Sequence, residues 1–177
     1  MALIVGLAVL GMTLGLLTRV GGVDPMRPRS LPLARTSIAA GQVGGLLPPA
    51  SLLDRTGDRR ASDLERPGIV ALVPPSCACL DGLKRVVTTA AQFGLITHLV
   101  EAGRDPAQVR SLAGRAGGDL QPLIDPAGVL AAAYDATPTL TLLLLRADGV
   151  ITEIKRGVAP SLDLRPALRR LLSAPQA

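Results

Sequence analysis

Aromatic residues are almost missing from this chain, which has no tryptophan, one phenylalanine and one tyrosine. That speaks against a stacking platform for nucleic-acid bases, which needs a series of rings, so no nucleic-acid partner is expected. The core must be built from Leu, Val, Ile and Ala. Histidine occurs once, as His98 in an expected strand with no neighbour to pair with as a ligand, and it reads as an ordinary strand residue. Charge is absent from the first eighteen residues. Acidic residues are scarce up to residue 40, where Asp24 stands against Arg19, Arg27, Arg29 and Arg35 and gives that segment a net +3. The formal charge of +5 is therefore mostly local, since the remaining residues carry 15 basic and 13 acidic groups. A basic segment next to an apolar one meets lipid headgroups more readily than nucleic acid.

What is present divides the chain into three expected parts. Residues 1–19 approach the roughly 20 apolar residues needed to cross a bilayer as a helix. Without a basic start they read as an uncleaved anchor rather than a signal peptide. Residues 20–45 are broken by Gly21, Gly22, Pro25, Pro28, Pro32, Gly41, Gly44 and Gly45 and read as a tether. Residues 46–177 are then the soluble domain, and 48% hydrophobic content over 177 residues suits one domain plus an appendage. The positive charges after residue 18, taken alone, would leave that domain in the cytoplasm, whereas a disulfide prefers an extracytoplasmic space. The expectation adopted is a single-pass membrane protein with an extracytoplasmic domain.

Within the domain, residues 50–68 read as a small hairpin turning at Asp54 and Gly57, with Ser62 and Asp63 as caps. The run GIVALV followed by Pro74 and Pro75 reads as a buried central strand stopped by proline. Apolar positions Leu80, Leu83, Val86, Val87, Ala90 and Ala91 then recur at helical spacing. LITHLVEAG gives a second strand. DPAQVRSLAGRAGG gives a second helix, capped by Asp105 with Pro106 at its first position. DLQPLIDPAGVLAAAYDA gives a short strand and a short helix. Two apolar runs across Ala147, Asp148 and Gly149 make a hairpin, and a last helix starts at Ser161 or Asp163. The fold class is α/β, a mixed sheet with helices on both faces, and Phe93 and Tyr134 are expected as packing residues.

The chemistry is concentrated in PPSCACL, where Cys77 and Cys79 are the chain's two cysteines, separated by Ala78. A helix N-terminus favours an anion, so a cysteine there is pushed toward the reactive thiolate. Cys77 is the candidate nucleophile and Cys79 the residue that resolves its mixed disulfide. Residues two apart point to nearly opposite sides of a helix, so a Cys77–Cys79 bridge requires Cys77 to lie ahead of the first turn. The small ring so closed is expected to be easily reduced, which would make the pair oxidising or isomerising. Two other readings stay open: a pair of buried spectator thiols, and a Cu(I) clip of two soft ligands. Lys84 and Arg85 could raise the potential near Cys77 but read as solvated helix charges.

Three passages resemble the thioredoxin superfamily, in particular membrane-anchored redoxin and TlpA-type thiol-disulfide oxidoreductases. They are PPASLLDRTGDRRASDL for the N-terminal hairpin, ALVPPSC for the strand that runs into the first active-site cysteine, and YDATPTLTLLLLRADGVI for the segment holding a cis-proline. Anchor, tether and domain together resemble the accessory proteins of methylamine dehydrogenase maturation. The resemblance implies thiol-disulfide exchange at Cys77 with no cofactor, client protein thiols or disulfides and a redox partner, and lipid contact through the N-terminal helix. It also implies a cis bond between Thr137 and Pro138 that would offer the Thr137 backbone to an extended substrate. The family pattern is Cys-x-x-Cys, and here Leu80 stands where the resolving cysteine would. In the alternative register Ser76 replaces the nucleophile and Cys79 is the resolving residue. A non-catalytic binding module on the same fold is the competing reading.

Overall fold

The computed structural model describes residues 41–54, 57–64, 66–75, 77–103, 105–137, 139–157 and 162–173. The expected anchor, residues 1–19, and most of the expected tether lie outside these. Among the described residues no helix is long and apolar enough to cross a membrane.

Strands β1 (Ser51–Leu53) and β2 (Asp58–Arg60) form the expected N-terminal hairpin, with Ser51 opposite Arg60. A short 3-10 turn, Ala61–Asp63, follows it. Ser62 and Asp63, read as caps, sit inside this turn, where the Ser62 hydroxyl donates to Asp63 Oδ1 at 3.0 Å. Strand β3 (Gly68–Val73) is buried at all six positions, which explains why its sequence shows no polar alternation. Helix α1 (Leu80–Gln92), strand β4 (Ile96–Ala102), helix α2 (Pro106–Ala116) and strand β5 (Leu120–Asp125) come next. Helix α3 (Val129–Ala133), the hairpin of β6 (Thr141–Leu145) and β7 (Ile151–Arg156), and helix α4 (Arg165–Ser173) complete the order.

The described strands form one seven-stranded sheet in the order β2-β1-β5-β4-β3-β6-β7. Strands β3, β4 and β5 run parallel, and β6 returns antiparallel beside β3. Each parallel step is made through a helix, as parallel pairing requires. Alternation along β3 divides the core between the two faces. Ile69, Ala71 and Val73 meet Leu83, Val86, Val109 and Leu168 from α1, α2 and α4. Val70 and Leu72 face Leu130, Tyr134 and the N-terminal residues Leu52 and Leu64. Helices therefore cover both faces, as the pattern predicted. Tyr134 is 1% exposed, and Phe93 is half-buried against the α1 face. The stretch at the end of the expected tether is already tied to the sheet: the Gly44 N–H donates to the Ile151 carbonyl at 2.7 Å, and the Ile151 N–H to that of Gly45 at 2.8 Å.

Local chemistry sets the helix ends. Asp105 caps α2 by accepting from the Ala107 N–H at 2.8 Å, with Pro106 in the first turn. Asp163 accepts from the Arg165 N–H at 3.0 Å and so starts α4; Ser161 lies outside the described residues. Helix α3 is held from a distance. Both carboxylate oxygens of Asp125, at the end of β5, accept from its first turn: Oδ1 from the Val129 N–H at 3.0 Å, Oδ2 from the Leu130 and Ala131 N–H groups at 2.7 and 3.2 Å.

Candidate active site

The site grows from the end of β3. Val73 is the last strand residue, and Pro74 and Pro75 remove the N–H donors a further ladder would need. The chain turns, with the Cys77 N–H donating to the Pro74 carbonyl at 3.1 Å. Cys79 is the N-cap of α1 and its carbonyl accepts the first helical hydrogen bond, from the Leu83 N–H at 2.9 Å. Cys77 thus lies ahead of the first turn, the condition the spacing imposed on a bridge. The two sulfurs are bonded, with Cα atoms 5.1 Å apart, and among the described residues no cysteine is free. Both residues are half-buried and pack against the core under α1. Two separate buried thiols are not what the chain builds here.

This places the helix field on Cys79 more directly than on Cys77. The N-cap side chain makes no capping bond, and the unpaired first-turn N–H groups face that end of the helix. When the disulfide opens at Cys77, the sulfur released is Cys79, and a thiolate there is stabilised by the same groups. A better-stabilised leaving thiolate speeds exchange. Lys84 and Arg85 are exposed, which fits solvated helix charges.

The other expected site residues divide. Thr137 is exposed, in the loop before β6. The register sets Thr141, at the start of β6, opposite Leu72 near the end of β3, so this loop enters the sheet at the end that carries the cysteine turn. Pro138 and Ser76 lie outside the described residues, and with them the expected cis bond and the alternative Ser-x-x-Cys register. Among the described residues the cis peptide is Arg66–Pro67, just before β3. His98 is fully buried within β4, as an ordinary strand residue would be. Among the described residues no group of three or more His, Cys, Asp or Glu side chains could hold a metal ion.

One participant escaped the sequence reading. A cavity of about 240 Å³ opens beside Cys77, with Pro74, Pro75, Glu101, Gln108 and Arg115 among its walls. The Gln108 side-chain amide donates to the Pro75 carbonyl and so fastens α2 to the cysteine turn. Glu101 is 4% exposed, and its Oε2 has no hydrogen-bond partner among the described residues. Burial first, and the nearby Asp105 charge second, push the Glu101 carboxyl above its usual range. A glutamate near a strand end looks like a solvated terminus in sequence. The available signal was its parity with Leu99, which faces the helices.

A parallel β3-α1-β4-α2-β5 core extended by the β6-β7 hairpin, with cysteines where the central strand meets its helix, is a thioredoxin-like fold. Neither a family model nor a curated protein matches the sequence. Solved structures do match it. A secreted disulfide oxidoreductase of Mycobacterium tuberculosis, homologous to E. coli DsbE, is similar at 16% identity and TM-score 0.56 over 70% of this chain and 95% of that one. A thio-disulfide isomerase from Thermus thermophilus is similar at 19% identity and TM-score 0.59, over 76% and 99%. A putative thioredoxin from Neisseria meningitidis is similar at 20% identity and TM-score 0.56, over 71% and 88%. At such identities the likeness defines the fold.

Proposed function

We propose that this protein carries out thiol-disulfide exchange on client proteins, with Cys77 as the sulfur attacked or attacking and Cys79 as its resolving partner. The observation that carries the reading is the half-buried Cys77–Cys79 disulfide at the start of the helix that follows the central strand. In the oxidising direction a client thiolate attacks Cys77 Sγ, the Cys77–Cys79 bond breaks, and Cys79 leaves as a thiolate. A second client thiolate then attacks the client sulfur of the mixed disulfide and releases Cys77. The client loses two electrons to the cysteine pair, and the two protons of its thiols pass to the cysteines or to solvent. A separate redox partner resets the pair.

Thr137 supports an extended client segment beside Cys77 in this reading, together with Pro138, by adding a strand near the entrance of β6. Residues 1–19 anchor the protein in a membrane, with the domain on the extracytoplasmic side where disulfides persist. The narrower likeness to accessory proteins of methylamine dehydrogenase maturation rests on sequence layout alone. A trapping experiment tests the exchange: with Cys79→Ala, the mixed disulfide formed at Cys77 cannot be resolved internally and accumulates. No adduct on Cys77 after exposure of the reduced variant to a disulfide-bearing substrate protein refutes the proposal. A reporter fused to the C-terminus decides the orientation, and activity of a cytoplasm-specific reporter refutes the extracytoplasmic placement.

A further inference from the structure

The cavity beside Cys77 has contents that protein-disulfide exchange alone leaves unexplained. Its walls combine Cys77 of the disulfide, the almost wholly buried Glu101, and Arg115 near the end of α2. Cys79 is not among its lining residues. Glu101 lines the cavity, and its carboxyl is under-satisfied, since Oε2 has no donor among the described residues; an unsatisfied buried acceptor is rare in a native fold. A ligand that brings a donor to this carboxyl offsets the deficit. Since the acceptor is a carboxyl, an ammonium is the donor that gains most, through a charge-assisted hydrogen bond. The rings of Pro74 and Pro75 give the cavity an apolar wall, and Arg115 supplies the opposite charge for a carboxylate.

We propose that this cavity is a binding site for a low-molecular-mass amino-acid thiol of the cysteine class, with its ammonium on Glu101, its carboxylate on Arg115 and its sulfur facing Cys77. The inference rests on the thiol-exchange reading of Cys77. The bound thiolate attacks Cys77 Sγ, the bond to Cys79 breaks, and Cys79 leaves as a thiolate that takes up a proton. A second small thiol attacks the ligand sulfur, forming the small-molecule disulfide and freeing Cys77, which is protonated in turn. Two small thiols lose two electrons, and the protein disulfide gains them. Because Cys77 and not Cys79 lines the cavity, the mixed disulfide forms at Cys77. The elevated Glu101 pKa fits a carboxyl that awaits a counter-charge.

The test measures the rate at which four small thiols reduce the disulfide of the full-length oxidised protein. The thiols are cysteine, cysteamine, 3-mercaptopropionate and 2-mercaptoethanol, each rate being divided by its rate against a small model disulfide at the same pH. The normalised rate of cysteamine exceeds that of 2-mercaptoethanol about tenfold, the scale of one partly desolvated charged hydrogen bond; cysteine, whose carboxylate also pairs with Arg115, exceeds cysteamine, and 3-mercaptopropionate, which lacks the ammonium, shows no gain of that size. In Glu101→Gln the ratio of cysteamine to 2-mercaptoethanol falls to near unity, and in Arg115→Ala cysteine loses its advantage over cysteamine. Normalised rates that are equal across the four thiols, or an amine preference that survives Glu101→Gln, overturn the proposed site while leaving protein exchange standing. A disulfide that none of the four thiols reduces overturns both.

Discussion

In the parallel register of β3 and β4, Glu101 stands beside Val73, the last strand residue before the turn that carries Cys77. A carboxyl is thereby buried at the foot of the active-site turn. Its pKa in the folded protein is raised, by burial first and by Asp105 second, while the unfolded chain titrates at about 4.3. The folded state therefore loses relative stability as pH rises through the folded value, and the penalty is absent below the unfolded one. Urea denaturation of the wild type and Glu101→Gln across pH checks this. The wild type loses stability relative to the variant as pH rises above the unfolded value; a constant difference would show that Glu101 ionises normally.

Asp125 is 1% exposed and accepts from three backbone N–H groups at the start of α3. Asp125→Ala leaves these donors without the carboxylate and costs roughly 2–4 kcal/mol. Asp125→Asn, which keeps one acceptor oxygen, costs less. Equilibrium unfolding measures both, and a loss below about 0.5 kcal/mol for the alanine variant would mean that solvent replaces the carboxylate.

Gly118, between α2 and β5, has φ +74°, and a Cβ added there would stand 2.5 Å from Cγ1 of Val87 in α1. Two effects coincide, the left-handed backbone that a side chain disfavours and overpacking of a 4% exposed valine. Gly118→Ala is expected to cost about 2 kcal/mol. Adding Val87→Ala should return part of that loss, and strict additivity of the two changes would place the conflict elsewhere.

In the β6-β7 turn, Asp148 pairs with Arg146 and also accepts from the Val150 N–H. The hydrogen bond from Arg146 leads in lowering the Asp148 pKa to about 2. Because the folded value lies below the unfolded one of about 3.9, the pair's contribution is complete above the unfolded value and fades as pH falls toward the folded one. NMR titration of the Asp148 carboxyl should give a midpoint near 2, moving upward in Arg146→Gln. The pair is largely solvated, so little global stability rides on it.

Much of this architecture was legible because its signals are local. Asp105 and Pro106 start a helix through chemistry within three residues, and GIVALV followed by two prolines announces a buried strand and its stop. The sheet order was not legible: β5 pairs with β1 through Leu53 and Ile124, a contact between distant segments that neither segment encodes. Asp125 escaped for a related reason, since its partners Leu130 and Ala131 lie five and six residues ahead, beyond the reach of an ordinary cap. At the site, the spacing of Cys77 and Cys79 correctly required Cys77 to precede the helix. The buried neighbour Glu101 depended on which face of β4 it occupied, and the register supplied that.

The central claim is that Cys77 and Cys79 form a working redox couple, and a redox titration of the full-length protein tests it most directly. The protein is equilibrated in buffers of graded thiol-disulfide poise, quenched with an alkylating agent and weighed by mass spectrometry. The account predicts that the two cysteines change together in one two-electron transition, from unalkylated to doubly alkylated protein, and that Cys77→Ala abolishes it. Two cysteines that remain alkylatable at every poise, with no Cys77–Cys79 or mixed disulfide, would contradict it.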